Sequence, residues 1–142
     1  MTDPTARRVP RAGLDPITDA ATALDVVYCA LHLPPRHETI VVLLDRQRCG
    51  STITVVADTV RPDDVVEVIE CVGAAAAATR AVSGLVVASV RPCATGPEEG
   101  DVDRWLEISA VAEQLGVPVL EWFVVGHRTE CPRDLLGEPP RW

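Results

Sequence analysis

Lysine is missing from the sequence, and all 13 basic side chains are arginine. Against 21 acidic residues they leave a net charge of −8. So acidic a chain lacks the basic surface needed to follow a phosphate backbone, and nucleic acid is not an expected partner. No apolar run approaches the roughly 18 residues of a membrane span, so no membrane association is expected. No apolar core follows the N-terminal arginines, so no export signal is expected. Aromatic residues are few, and Trp105, Trp122 and Trp142 lie too far apart to form a stacking platform by spacing alone. Trp105 and Trp122 are expected near the core. There is no C-x-x-C pair. The five cysteines, Cys29, Cys49, Cys71, Cys93 and Cys131, are odd in number, as expected of reduced thiols in a cytoplasmic protein.

What remains is a chain of 142 residues, 47% hydrophobic, long enough for one domain with a substantial core. Residues 1–16 hold three prolines and three arginines with little apolar period, and are expected to form a flexible arm. Thr18 to Leu31 repeats apolar residues at helical spacing, and Pro34-Pro35 then breaks the chain. His32 and His37 bracket that break, where a surface position is expected. Thr39–Leu44 is a buried strand by its continuous apolar run. Ser51–Ala57 alternates, and the polar turn between them makes a hairpin. Pro62, Asp63 and Asp64 suit the start of a helix, with Val65, Val68, Ile69 and Val72 on its apolar face. The Ala74–Ala78 run allows a close neighbour.

The chain centres on Gly84 to Asp103. Leu85–Val90 reads as a buried strand that stops before a proline. A Gly/Pro-rich loop follows, and Asp101 or Asp103 opens a helix that ends at Gly116. Val117–Val125 is the next strand. Strand, helix, strand over this length predicts a parallel pair. Loops outside the carboxyl ends of such strands commonly carry chemistry.

The ordered set of elements resembles the JAB/MPN metalloprotease-like domain, most closely its RadC-like branch. Val41-Val42-Leu43-Leu44-Asp45-Arg46-Gln47-Arg48 is similar to that branch's apolar strand and polar turn. The helix start at Pro62 follows, and Val119-Leu120-Glu121-Trp122-Phe123-Val124-Val125-Gly126 is similar to the family's final strand. The resemblance runs from about Glu38 to Cys131. It implies an α/β fold of one domain, residues 17–142, with a mixed sheet flanked by helices in a cytidine-deaminase-like arrangement. An apolar, Pro-rich tail, about 132–142, is expected to pack on the domain or on a second subunit.

In that family two histidines and an aspartate hold zinc, and a glutamate serves as general base. By position, Ser89 and Arg91 stand where the histidines belong. Asp103, or Asp101 with a shorter gap, stands at the aspartate, and Glu38 stands near the glutamate. A serine hydroxyl is a poor zinc ligand, and a guanidinium has no lone pair and repels a divalent ion. The expectation is therefore no cofactor and no zinc at this position. Arg91 either pairs with a carboxylate in place of the metal, or holds an anionic ligand beside the amides that open the next helix. Cys93, His127 and Cys131 are an alternative metal or redox set, since their loops leave one sheet edge. The implied function is a non-catalytic domain acting through a protein partner or homo-oligomer. The alternatives are a metal-dependent hydrolase with a rearranged site and a DNA-repair-associated factor.

Overall fold

In the computed structural model, which describes residues 8–142, the sheet is built outward from β3 (Gly84–Val90), buried along its whole length. Its run of apolar residues, interrupted by Ser89, suits a strand covered on both faces. On one side β3 pairs antiparallel with β1 (Glu38–Leu44), which pairs antiparallel with β2 (Gly50–Ala57). On the other side it pairs parallel with β4 (Val119–Val125), as the strand–helix–strand pattern predicts. A two-residue strand, β5 (Thr129–Glu130), closes against the end of β4, giving the order β2-β1-β3-β4-β5. With four helices this is a single α/β domain with a mixed five-strand sheet.

Strand alternation divides the core into two layers. Val41, Leu85, Val87, Val119, Trp122 and Val124 face α2 (Asp64–Thr79) and α3 (Asp101–Leu115). Ile40, Val42, Val86, Ala88, Val90 and Val125 face α1 (Ala20–Ala30). Each fully buried valine or isoleucine contributes about 1.5–3 kcal/mol in removing its side chain from water. Trp105 and Trp122, placed near the core on sequence grounds, are wholly buried there.

The helix ends follow local chemistry. Asp19 caps α1 by accepting the Thr22 N–H at 2.7 Å. In α2 the small residues Gly73 and Ala76 lie on the buried face, and a Cβ at Gly73 would meet Leu115 of α3 at 2.9 Å. The close approach of α3 is thus made at Gly73, with Ala76 buried on the same face, whereas Ala74, Ala75 and Ala78 of the alanine run are exposed. Gly116 ends α3 in the left-handed conformation at φ 78°.

Of the arm expected at 1–16, residues 1–7 lie outside the described residues. The following segment hydrogen-bonds to the start of β2. Gly13 N–H donates to Gly50 C=O at 3.0 Å, Ile17 N–H donates to Arg48 C=O at 2.8 Å, and Pro16 bridges Cys49.

The tail holds α4 (Pro132–Leu136), with proline in its first turn. Arg133 donates from Nε to both oxygens of Glu121, at 3.2 and 3.0 Å, and from Nη1 to Glu138 C=O at 2.6 Å. Arg141 stacks over the Trp105 ring at 4.3 Å, and Trp142 packs on the α1-side core. Leu135 and Leu136 remain exposed. All five cysteines are free, and among the described residues no helix is long and apolar enough to cross a membrane.

Candidate functional site

The carboxyl end of β3 delivers Ser89, Arg91 and the loop after them to the amino end of α3. Ser89 lies on the α2/α3 face, and its Oγ accepts the Trp122 indole N–H at 3.0 Å. Two residues on, Arg91 leaves the strand on the same side. Its main-chain N–H donates to Val125 C=O at 2.8 Å, holding the strand end against β4.

Arg91 and Asp101 form a two-pronged ion pair. Nη1 donates to Oδ2 at 2.6 Å and Nη2 to Oδ1 at 3.0 Å. Asp101 is wholly buried and Arg91 is 8% exposed. Asp101 also accepts the Glu98 N–H at 2.7 Å and Arg104 Nη1 at 2.9 Å. Arg104 reaches on to Asp63 at 2.7 Å, tying the amino ends of α2 and α3 together. Burial by itself would raise the Asp101 pKa. The hydrogen bonds from Arg91 and Glu98, with the Arg91 charge and the Arg104 bond, outweigh it and hold the carboxyl below its ordinary range. The Arg91 guanidinium also lies 5.8 Å from the Trp122 ring centroid.

Of the two aspartates left open by sequence, Asp101 enters the site and Asp103 is exposed. Two residues on a helix are about 200° apart, so only one of them can face inward. Glu38 is buried but turned away. It pairs with Val90 across the sheet, and Val90 belongs to the α1 layer. Its carboxylate accepts the His32 N–H at 3.1 Å and Arg36 Nε at 3.1 Å. The structure therefore joins Ser89, Arg91 and Asp101 in one corner and sets Glu38 on the opposite face.

The donor set does not fit zinc. Ser89 is occupied by an indole N–H, the second position is a cation, and both oxygens of Asp101 are bonded to guanidinium groups.

Past Arg91 the chain turns sharply. Ala94 N–H donates to Arg91 C=O at 3.0 Å, with Pro92 and Cys93 between them. Cys93 has φ 69°, the left-handed setting that a turn with proline second asks of its third residue. The Ala94 carbonyl then accepts the His127 N–H at 2.8 Å and presses against Gly126, leaving no room for a Cβ there. These loops form one wall of a crevice of about 520 Å³ at the carboxyl ends of β3 and β4. Tyr28 of α1 and Leu31, just past its end, form the other wall, and the Tyr28 hydroxyl is bonded to Thr129 Oγ1 at 2.8 Å.

Of the alternative metal set, Cys93 and His127 share this crevice. Cys131 is not among its lining residues. Cys131 lies beside Glu121, and burial, with the Glu121 and Asp134 charges, pushes its thiol up to about 12. Among the described residues no three His, Cys, Asp or Glu side chains gather as a metal would require.

Sequence reasoning missed Arg104, Glu98, and the buried Glu121–Arg133 pair. Arg104 stands three residues after Asp101, a spacing that places two helical side chains together. No local signal pairs Glu121 with Arg133.

Fold and site together define a small α/β domain with a buried ion pair where its central parallel strand meets the following helix. The chain matches no protein-family model, and no curated protein is significantly similar to it.

Proposed function

We propose that this is a non-catalytic domain of the JAB/MPN type, close to the RadC-like branch, that acts by binding a protein partner or a second copy. One observation carries the reading: the Arg91–Asp101 pair fills the corner that the resemblance assigns to a metal. The order hairpin, helix, strand, helix, parallel strand supports it, being the order the resemblance implies. Two arginines neutralise the single buried carboxylate at the corner, so no unsatisfied negative charge is left to draw a divalent ion. The glutamate that would serve as base faces the other layer. The hydrolase alternative has no comparable support, since Cys93 and His127 supply only two ligands of the three a catalytic zinc needs. The DNA-associated alternative is opposed by the net charge of −8.

Metal analysis of protein purified without chelator, with zinc titration by calorimetry, tests the reading. The expected result is no stoichiometric zinc and no metal-dependent peptide hydrolysis. One tightly bound zinc per chain together with such hydrolysis would falsify it.

A further inference from the structure

The edge strand β2 presents main-chain groups that no neighbouring strand takes. Just past its end, the Asp58 N–H donates to His37 C=O at 3.0 Å. Along an antiparallel pair the residues bonded to the partner alternate, so Val56, Thr54 and Thr52 turn their N–H and C=O groups toward β1. Ser51, Ile53, Val55 and Ala57 turn theirs outward. Among the described residues no strand pairs with that side of β2.

The open stretch is bounded at both ends. At Gly50 the N-terminal segment takes the edge, with Gly13 N–H bonded to Gly50 C=O. Past Ala57, Asp58 takes φ 62° and turns the chain out of the strand. Between these limits nothing deters a further strand, since residues 51–57 hold no charge and no proline. Ile53 and Val55, on one face of the sheet, are 42% and 41% exposed. Leu14, 65% exposed, stands at the Gly50 end, and Val60, 62% exposed, stands at the other.

We propose that β2 pairs antiparallel with β2 of a second copy of this chain, joining two five-strand sheets into one. The stretch is complementary to itself. A twofold axis at Thr54 sets Ser51 opposite Ala57 and Ile53 opposite Val55 in both directions, so outward groups meet outward groups throughout. The apolar side chains of Ile53 and Val55 pair across the junction. Each strand ends where the other copy's N-terminal segment takes over the edge. The same axis brings the Leu14 end of one copy to the Val60 end of the other, apolar to apolar. Charge favours this approach as well. Each copy carries a net charge of −8, and the two meet along a stretch that holds none of it. An unrelated strand would gain the same main-chain bonds, but the matched length and ends favour a second copy. The inference gives the binding role proposed above a partner and a surface, and rests on that reading for its purpose. Its geometry does not use the Arg91–Asp101 corner.

Sedimentation equilibrium on the full chain, from about 1 μM to 1 mM, should show a reversible monomer–dimer equilibrium. Val55→Lys brings a charge of the same sign from each copy to the junction and should raise the dissociation constant about a hundredfold. Val55→Pro removes an outward N–H without touching the bonds to β1 and should act in the same direction. If the proline variant fails to fold, Val55→Lys, at an exposed position, still decides. Leu135→Lys, at an exposed apolar position on α4, should leave association unchanged. A chain that stays monomeric over the whole range leaves the edge to a strand of another protein and overturns the proposal. So does a dimer that Val55→Lys leaves intact, or one that Leu135→Lys weakens as much. Zinc content and peptide hydrolysis, read on the same samples, keep the two questions apart. A zinc-free monomer sinks this inference alone, and a dimer with stoichiometric zinc and hydrolysis sinks the earlier reading alone.

Discussion

Glu38 and Asp101 are both buried carboxylates near the carboxyl end of β3, yet they face opposite sides of the sheet. Strand alternation makes the separation, because Glu38 stands across from Val90 while Arg91 leaves the strand on the other face. The two share no hydrogen-bond partner. Glu38→Gln and Arg91→Ala are therefore expected to add, with the double variant within about 0.5 kcal/mol of the sum in urea unfolding. A larger coupling energy would mean that the two carboxylates act as one site.

Removing Arg91 leaves Asp101 buried with Arg104 as its remaining cation. Breaking a buried pair from one side costs about 3–5 kcal/mol, and Arg104 should keep Arg91→Ala toward the lower end. Arg91→Lys retains the charge but not the two-pronged geometry and should fall between the two. Denaturant midpoints at neutral pH decide this; a loss below 1 kcal/mol, well under the range for a buried pair, would show that the corner contributes little.

Acid should reveal the same carboxyl. Its folded-state pKa lies below the ordinary 3.8, so its contribution is complete above that value and is lost as pH falls through the lower one. The stability difference between the wild type and Asp101→Asn should be flat above about pH 5 and shrink on further acidification. Glu121 has the opposite sign. Burial, only partly offset by Arg133, holds its carboxyl above 4.5, so the advantage of its neutral form is lost as pH rises through the folded value. Melting curves from pH 3 to pH 7, the span about these pKa values, separate the two.

The crevice wall makes a steric prediction. The Ala94 carbonyl lies against Gly126, so Gly126→Ala must move one loop or the other. The expected cost is about 1–3 kcal/mol, with amide shifts confined to residues near Cys93 and His127. Unchanged melting and spectra would show that the loops yield freely.

Restoring imidazoles tests the corner directly. Ser89→His alone should bind no zinc, because the Arg91 cation stays. Ser89→His with Arg91→His gives Asp101 two imidazole neighbours and should bind zinc, read by calorimetry. Zinc binding by the single variant would contradict the charge argument.

The strands were largely legible because their signals are local. Leu85–Val90 is apolar but for Ser89 and is buried throughout. The strand expected from Val117 begins at Val119, since Pro118 has no N–H for the ladder, although its carbonyl still accepts Leu85 N–H at 2.9 Å. The helix after the loop starts at Asp101 because Gly100, at φ 88°, ends the turn one step before it. β5 and α4 had no legible period: two and five residues are too short to show one. They are held by contacts distant in sequence, above all Arg133 on Glu121. The pairing of Arg91 with a carboxylate followed from charge, but which carboxylate depended on the face of a helix that a single residue of offset would change.

The two edges of the sheet are unequal. β5, α4 and the tail lie along the β4 side, whereas no described strand pairs with β2 beyond β1. Residues 50–57 carry no charge and no proline, the usual deterrents to edge pairing. The open stretch for a further strand lies along β2 beyond Gly50, because the 13–17 segment already hydrogen-bonds to Arg48 and Gly50.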